Sequence, residues 1–453
     1  MFRKVLIANR GEVAARIARA ARESGATAVG VCSEADRQSS WAQAMDELVC
    51  LGPAAAKDSY LDPERVVQAA LQTGATAVHP GWGFLAENAR FAALVQQHGL
   101  TFVGPSPALM SRMGLKTPAK DTMRAAGLDV IPGSVGPVPD AAAAQVAADE
   151  AGYPVILKAD AGGGGRGMRK VDEPGGVAEA FASARAEAEA SFSSSAVYVE
   201  KFLTGGRHVE VQLVGDAFGN AIHLFERDCS VQRKHQKLIE ESPCPLLSQE
   251  EREQLGQRAA DAAAAIGYAG AGTIEFLRDA ATGAIYFMEM NTRLQVEHPV
   301  SELITGIDIA KLQFEVAANR PLSVKQSDVR IDGHSIELRI NAEDPTQDFR
   351  PSPGVLTAFE FPDDVGPGKL RIDTHLVAGD EVPPHYDSLI AKVLAHGATR
   401  DEAIETLLRC LAGAKVEGVS TTIPFHQAVL QSEAFRSGDY DTQTLPGWPV
   451  QGA

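Results

Sequence analysis

A chain of 453 residues is too long for one ordinary hydrophobic core, so two or three domains are expected, and an apolar fraction of 45% supplies their interiors. With 42 basic against 59 acidic residues and a formal net charge of -17, the chain lacks the basic footprint that displaces counterions from a phosphate backbone, which excludes a nucleic-acid-binding role. The scattered cysteines Cys32, Cys50, Cys229, Cys244 and Cys410 contain no Cys-x-x-Cys pair, and no apolar run approaches membrane-spanning length, so a reduced, cytoplasmic protein without structural zinc and without a membrane segment is expected.

In chain order, Val5–Ala8 reads as a buried strand, Asn9-Arg10-Gly11 as a tight turn, Val13–Ser24 as a helix with apolar residues at helical spacing, and Ala28–Cys32 as a second strand. Strands at Ala75–His79 and Thr101–Gly104, with a helix near Asn88–His98 between them, continue the alternation that marks an open parallel sheet. Gly104-Pro105-Ser106-Pro107 reads as a boundary. Beyond it come a helix-rich stretch to about Gly127, a compact unit over Val130–Phe202, and antiparallel hairpins. A third region opens near His334 with an alternating strand at Ser335–Asn341 and carries a late helix over Arg400–Ala414.

Within the compact unit, Gly162-Gly163-Gly164-Gly165-Arg166-Gly167 contains a Gly-x-Gly-x-x-Gly match. A dinucleotide fold requires such glycines to open a helix directly after a strand. Here Pro154–Ala159 before them and Met168–Val171 after them are both strand-like, and a helix over Val177–Glu189 starts only beyond Pro174-Gly175-Gly176, so the glycines cap a hairpin. A backbone that closes over phosphates needs the close approach only glycine allows; a flexible surface hairpin is the alternative. No Walker-type Gly-x-x-x-x-Gly-Lys-Ser/Thr occurs. Lys158, at the end of Val155-Ile156-Leu157, is placed either to reach phosphates or to leave for solvent. Val197–Leu203 reads as a strand and hinge whose backbone edge, with Glu200, could read an adenine amino group.

Thr273-Ile274-Glu275-Phe276-Leu277 and the run from Met288 to Pro299 both alternate, and Asp279–Gly283 between them reads as a hairpin turn. Alternation points Glu289, Asn291, Arg293, Gln295 and Glu297 the same way, and a turn centred on Thr282 sets Glu275 opposite Glu289. Like charges so placed destabilise a sheet unless something neutralises them, which a hard divalent cation facing a phosphate would do. A solvated sheet face is the plainer alternative. The basic run Arg227, Arg233, Lys234, His235 and Lys237 is either a solvated turn or a pocket for a small anion.

Six segments together resemble biotin carboxylase, the ATP-grasp component of biotin-dependent carboxylases. They are Ile7 to Glu12, His79 to Asn88, Lys158 with the glycine loop, Glu226 to Lys237, Glu289 to Pro299, and Arg339 to Asp344, and the resemblance runs from residue 1 to about 445. It implies an α/β fold with a doubly wound parallel N-terminal domain over residues 1–112. An ATP-grasp core over 113–333, including a mobile lid at about 130–202, and an α+β C-terminal domain over 334–446 would follow. The implied reaction is attack of bicarbonate on the γ-phosphate of ATP to give carboxyphosphate, followed by carboxylation of biotin at its ureido nitrogen.

Carried over position by position, Lys116, Lys158, Gly163, Gly164, Gly165, Gly167, Glu200, Lys201, Leu203, His208, Gln232, His235 and Glu275 line the nucleotide site. Glu275, Glu289 and Asn291 hold Mg2+ or Mn2+; Lys237, Arg293, Gln295 and Val296 hold bicarbonate. Glu297 is the general base, and Arg339 stabilises charge on the ureido oxygen. Trp82, where the family often has tyrosine, and Leu115, where it often has an acid, are departures near the biotin vicinity and the Lys116 loop. No Met-Lys-Met attachment sequence is present, so the expected partners are a separate biotin carboxyl carrier protein and carboxyltransferase chains, around a homodimer. The subunit of an acetyl-CoA carboxylase is the leading expectation; another biotin-dependent carboxylase, a different ATP-grasp ligase or a silent homologue are the alternatives.

Overall fold

The computed structural model describes residues 2–160, 167–192 and 194–449. Strands β1 (Lys4–Ile7), β2 (Thr27–Ser33), β3 (Glu47–Gly52), β4 (Ala77–His79) and β5 (Thr101–Phe102) form a parallel sheet in the order β3-β2-β1-β4-β5. Val5 and Ile7 pack with the helix Gly11–Glu23 on one face, while Leu6, Val29 and Val31 pack with the helices Pro63–Thr73 and Ala89–Gln97 on the other. Both faces are therefore covered, which is why these strands read as unbroken apolar runs. The covering helices start where side chains satisfy their first amides: Asp62 accepts from the Arg65 amide and Asn88 from that of Phe91. Strand order reverses between β1 and β4, and the loops that follow them meet there, Asn9 donating to the carbonyls of Pro80 and Trp82 at 2.7 Å each.

A second, small antiparallel sheet consists of β6 (Val155–Ala159), β7 (Met168–Val171) and β8 (Val197–Lys201) in the order β7-β6-β8, packed against the helices Ala141–Ala151 and Val177–Phe192. Ala144, Val155, Leu157 and Val199 give it a core of its own. Lys158 faces Met168 across β6 and β7, so the glycine run joins the two strands of a hairpin; Gly163, Gly164 and Gly165 lie outside the described residues. The chain enters this unit across β8 at Gly133, where an added Cβ would stand 2.1 Å from the Val199 carbonyl oxygen, so only glycine permits the crossing.

The longer of the remaining strands are β9 (Arg207–Gly215), β10 (Ala221–Arg233), β11 (Gln236–Ser242), β12 (Gly270–Arg278), β13 (Ile285–Asn291), β14 (His334–Asn341), β15 (Lys369–Thr374) and β16 (Leu389–Gly397). They make one antiparallel sheet ordered β13-β12-β9-β10-β11-β14-β16-β15. The strand expected at Ser335–Asn341 is β14, but it opens no separate sheet; it pairs with β11. Ile336, Leu338 and Ile340 enter an apolar core with Leu407 and Phe425, which turns Glu337 and Arg339 to the opposite face.

Two details of the β12–β13 region differ from the sequence expectation. Arg278 pairs with Ile285 and Phe276 with Phe287, so the turn is centred between Ala281 and Thr282; a bulge at Met288 then brings Glu289 opposite Glu275. The alternation expected to run to Pro299 stops as a strand at Asn291. Pro299 instead occupies the first turn of the helix His298–Thr305, and Leu294 turns inward to full burial.

Candidate active site

The small sheet, the large sheet, the helix Lys116–Ala125 and the loop after β4 enclose a cavity of about 930 Å³. Lys116, Lys158, Glu200, Lys201, Leu203, His208, Gln232, His235, Lys237, Glu275, Glu289, Asn291, Arg293, Gln295, Val296, Glu297 and Arg339 all line it. Gly167 does not, although its neighbour Met168 does; its left-handed φ of 69° closes the hairpin end, its carbonyl accepting from the Ala159 amide. A larger, more open cleft of about 1110 Å³ lies between the helix Gln249–Ala265 and residues 326–331 and gathers none of these residues.

At the centre is the Lys237 ammonium, on β11. It contacts Glu210 at 2.6 Å, Glu275 at 2.8 Å and Glu297 at 2.7 Å. Arg339, from β14, reaches the second oxygen of Glu297 at 3.1 Å and donates from Nε to Glu240 at 2.6 Å. Burial alone would raise the Glu297 carboxyl, but Lys237, Arg339 and Arg227 outweigh it and hold the group far below the usual carboxylate range. Burial would likewise lower Lys237, yet Glu210, Glu275 and Glu297 push it well above an ordinary lysine. Glu297 is thus an anion and Lys237 a cation across the physiological range.

The β10–β11 connection presents His235 to this cavity through a two-residue turn in which Lys234 and His235 both have positive φ, 48° and 66°. Non-glycine residues in that region cost about 1–2 kcal/mol each, so the turn keeps side chains where glycine would be the relaxed choice. The basic run divides there: Arg233 and Lys234 pair outward with Asp348, while Lys237 and the fully buried Arg227 turn inward.

For a divalent metal, the donor set fits. Glu275 and Glu289 face one another, and Glu289 makes no hydrogen bond or ion pair among the described residues. Its side chain is exposed into the cavity, yet the protein crowded around that recess and the facing Glu275 charge push its carboxyl up. Glu275 also accepts from Asn291 at 2.8 Å and Gln295 at 3.1 Å, and His208 approaches at 3.2 Å. The Asn291 oxygen accepts from Arg293 at 3.0 Å, so Asn291 braces Glu275 against Arg293. Ligand atoms of His208, Glu210 and Glu275 lie within 4.8 Å of one another.

Toward the small sheet, Glu200 sits between Lys158, at 2.8 Å, and Lys120. Lys201 spends its ammonium on the carbonyls of Gly152 and Tyr153, at 2.9 and 2.7 Å. Sequence reasoning missed Lys120, one helical turn beyond Lys116, and missed the anions behind the cations: Glu210 and Glu240. Glu87, within the His79–Asn88 segment, holds Arg293 at 2.9 Å, a partnership its position in that segment does not reveal. Lys120 was detectable from its i,i+4 spacing to Lys116; the acids were not, because their partners are distant in sequence.

A lid sheet over an antiparallel sheet bearing paired carboxylates, with lysines between them, defines an ATP-dependent ligase of the ATP-grasp class. Family models match in chain order: the biotin carboxylase N-terminal domain over residues 1–110, the carbamoyl-phosphate synthase L chain ATP-binding domain over 116–325, and the biotin carboxylase C-terminal domain over 337–447. Biotin carboxylase 1 of Bacillus subtilis is 49% identical over 453 residues, all of both chains. Among solved structures, the biotin carboxylase–β-γ-ATP complex from Campylobacter jejuni superposes with a TM-score of 0.93 at 44% identity over 98% of each chain. The biotin carboxylase domain dimer of Hydrogenobacter thermophilus 2-oxoglutarate carboxylase, bound to MgADP, ADP and bicarbonate, superposes with a TM-score of 0.92 at 44% identity, covering 98% of this chain and 97% of that one. The chain belongs to the biotin carboxylase family.

Proposed function

We propose that this chain carboxylates biotin borne on a separate carrier protein, using ATP and bicarbonate, as the biotin carboxylase subunit of an acetyl-CoA carboxylase. The observation that carries the reading is the position of Glu297, ionised and held between Lys237 on one side and Arg339 on the other. Lys237, Arg293, Gln295 and Val296 hold bicarbonate; Glu297 takes its proton as its oxygen attacks the γ-phosphorus and the bond to ADP breaks. Carboxyphosphate then gives carbon dioxide and phosphate, and Arg339 stabilises the negative charge that develops on the ureido oxygen of biotin.

Lys116, Lys158, Glu200, Lys201, Leu203, His208, Gln232 and His235 bind the nucleotide, with Gly163, Gly164, Gly165 and Gly167 closing over its phosphates. Bound by Glu275, Glu289 and Asn291, Mg2+ or Mn2+ would neutralise phosphate charge. The working division of the chain is 1–112, 113–333 with a lid at about 130–202, and 334–446, in a cytoplasmic homodimer; among the described residues no helix is long and apolar enough to cross a membrane. Carrier and carboxyltransferase chains complete the assembly.

Phosphate release from ATP tests the reading: it should require bicarbonate and accelerate with free biotin. Turnover supported by another carboxylate in place of bicarbonate would refute it. Service to a different acceptor is the second reading, favoured by the similarity to the 2-oxoglutarate carboxylase domain; the carboxyltransferase that co-purifies decides between them.

A further inference from the structure

Glu337 takes no part in the scheme above, and its surroundings are unusual for an acid. It is fully buried on β14, and neither carboxylate oxygen has a hydrogen-bond partner. Directly opposite on β11 stands Glu240, also fully buried, whose Oε1 accepts from Arg339 at 2.6 Å while its Oε2 has no partner.

The charged groups on the packed elements are committed elsewhere. Lys392, on β16, contacts Glu12 at 2.7 Å and donates to the Val296 carbonyl at 3.0 Å. Asp373, on β15, is bound by Arg371 at 2.7 Å. Glu297 is held by Lys237 and Arg339. On the helix His298–Thr305, His298 spends Nδ1 on the Gln295 carbonyl and Glu302 pairs with Arg16.

Two facing acids in a closed interior, with three unpartnered oxygens between them, do not both ionise, because an unpaired buried charge costs more than retaining a proton. Arg339 secures the charge on Glu240, so the proton resides on Glu337. In accord with this, burial pushes the Glu337 carboxyl well above its ordinary value; Lys392 opposes the rise and Glu240 adds to it. Burial raises the Glu240 carboxyl as well, but Arg339 pulls against that rise at 2.6 Å.

We propose that Glu337 is a protonated, neutral positioning residue that donates its carboxyl hydrogen to Glu240 and so fixes the carboxylate on which Arg339 rests. No bond to a substrate is made or broken; the proton remains on Glu337 through turnover. The consequence for catalysis rests on the reading of Arg339 as the partner of biotin, whereas the protonation state does not.

Glu337→Gln keeps a neutral donor and cannot titrate. An infrared difference spectrum, parent minus Glu337→Gln at neutral pH, should contain the carbonyl band of a protonated carboxylic acid. The sign of the pH effect follows from linkage: a raised carboxyl binds a proton in the folded state that the unfolded chain has released above about pH 4.3, so its stabilisation declines as pH rises toward the folded value. The Tm of Glu337→Gln relative to the parent should therefore climb with pH through that window. Biotin carboxylation by Glu337→Gln should stay within about threefold of the parent near neutrality, while Glu337→Leu, which leaves Glu240 without a donor, should lose it about tenfold or more and keep biotin-independent ATP cleavage. Absence of the infrared band, parallel Tm curves, or equal loss of both activities in a folded Glu337→Leu overturns the proposal. Should Glu337→Leu not fold, or the parent show no response to biotin, the infrared and Tm results on Glu337→Gln still decide where the proton is.

Discussion

Glu297 and Arg339 touch at 3.1 Å, but the proposed scheme gives them different substrates, so substitution should separate them. Glu297→Gln is expected to suppress both biotin carboxylation and the slow bicarbonate-dependent ATP cleavage that needs no biotin, by about two orders of magnitude, the contribution of a positioned base. Arg339→Ala should lose biotin carboxylation by a similar factor of about a hundred and keep the biotin-independent cleavage within several-fold. Phosphate release with and without free biotin reads both, and equal loss in a folded Arg339→Ala would refute the division. The same residues set the acid limit of the protein. Lys237 and its neighbours hold Glu275 and Glu297 far below the ordinary range against the effect of burial. Their stabilisation is complete above about pH 4.3 and disappears as pH falls through the depressed folded values. A Tm profile between neutrality and strong acid should decline less steeply in Glu297→Gln than in the parent; an identical slope would mean that Glu297 is not held ionised by folding.

At the scale of elements, the β12–β13 hairpin carries its charge at a cost the sheet alone does not offset. If Glu275 and Glu289 are the metal ligands, replacing both by Gln should abolish metal-dependent turnover while circular dichroism shows the fold retained, because relief of the facing charges offsets part of what Glu275 loses with Lys237. Undiminished turnover would place the metal elsewhere. For the lid, Gly164→Val with Gly165→Val should raise the KM for ATP far more than it lowers Tm if the glycines serve the nucleotide phosphates as proposed. An unchanged KM would make the loop a connector only. These hairpins were legible in the sequence because their information is local: Glu275 and Glu289 alternate around a short turn, and Lys158 and Met168 flank the glycines. The bulge at Met288 and the strand end at Asn291 were not legible, because they depend on burying Leu294 and on the helix that starts at His298. Nor was the pairing of Glu240 with Glu337, whose strands are joined through about a hundred residues of intervening chain.

The molecule as a whole is organised around one sheet whose centre lies on no domain boundary. Lys237 on β11, Glu275 on β12 and Arg339 on β14 hang from a single hydrogen-bonded lattice, and the contact of β11 with β14 is what places Arg339 beside Glu297. Cutting the chain between Gly333 and His334, where the alternating pattern suggests a seam, leaves β11 and β14 each with a naked edge of unpaired amides and carbonyls. Fragments 2–333 and 334–449 expressed apart should be insoluble or associate with themselves. Expressed together they should pair again and regain biotin-dependent phosphate release, as a split reporter does when its halves are brought together. Soluble, monomeric halves would show that the junction is a hinge between finished bodies. A seam that behaves as an adhesive surface lets the chain be supplied as two polypeptides that rejoin unaided into one working protein.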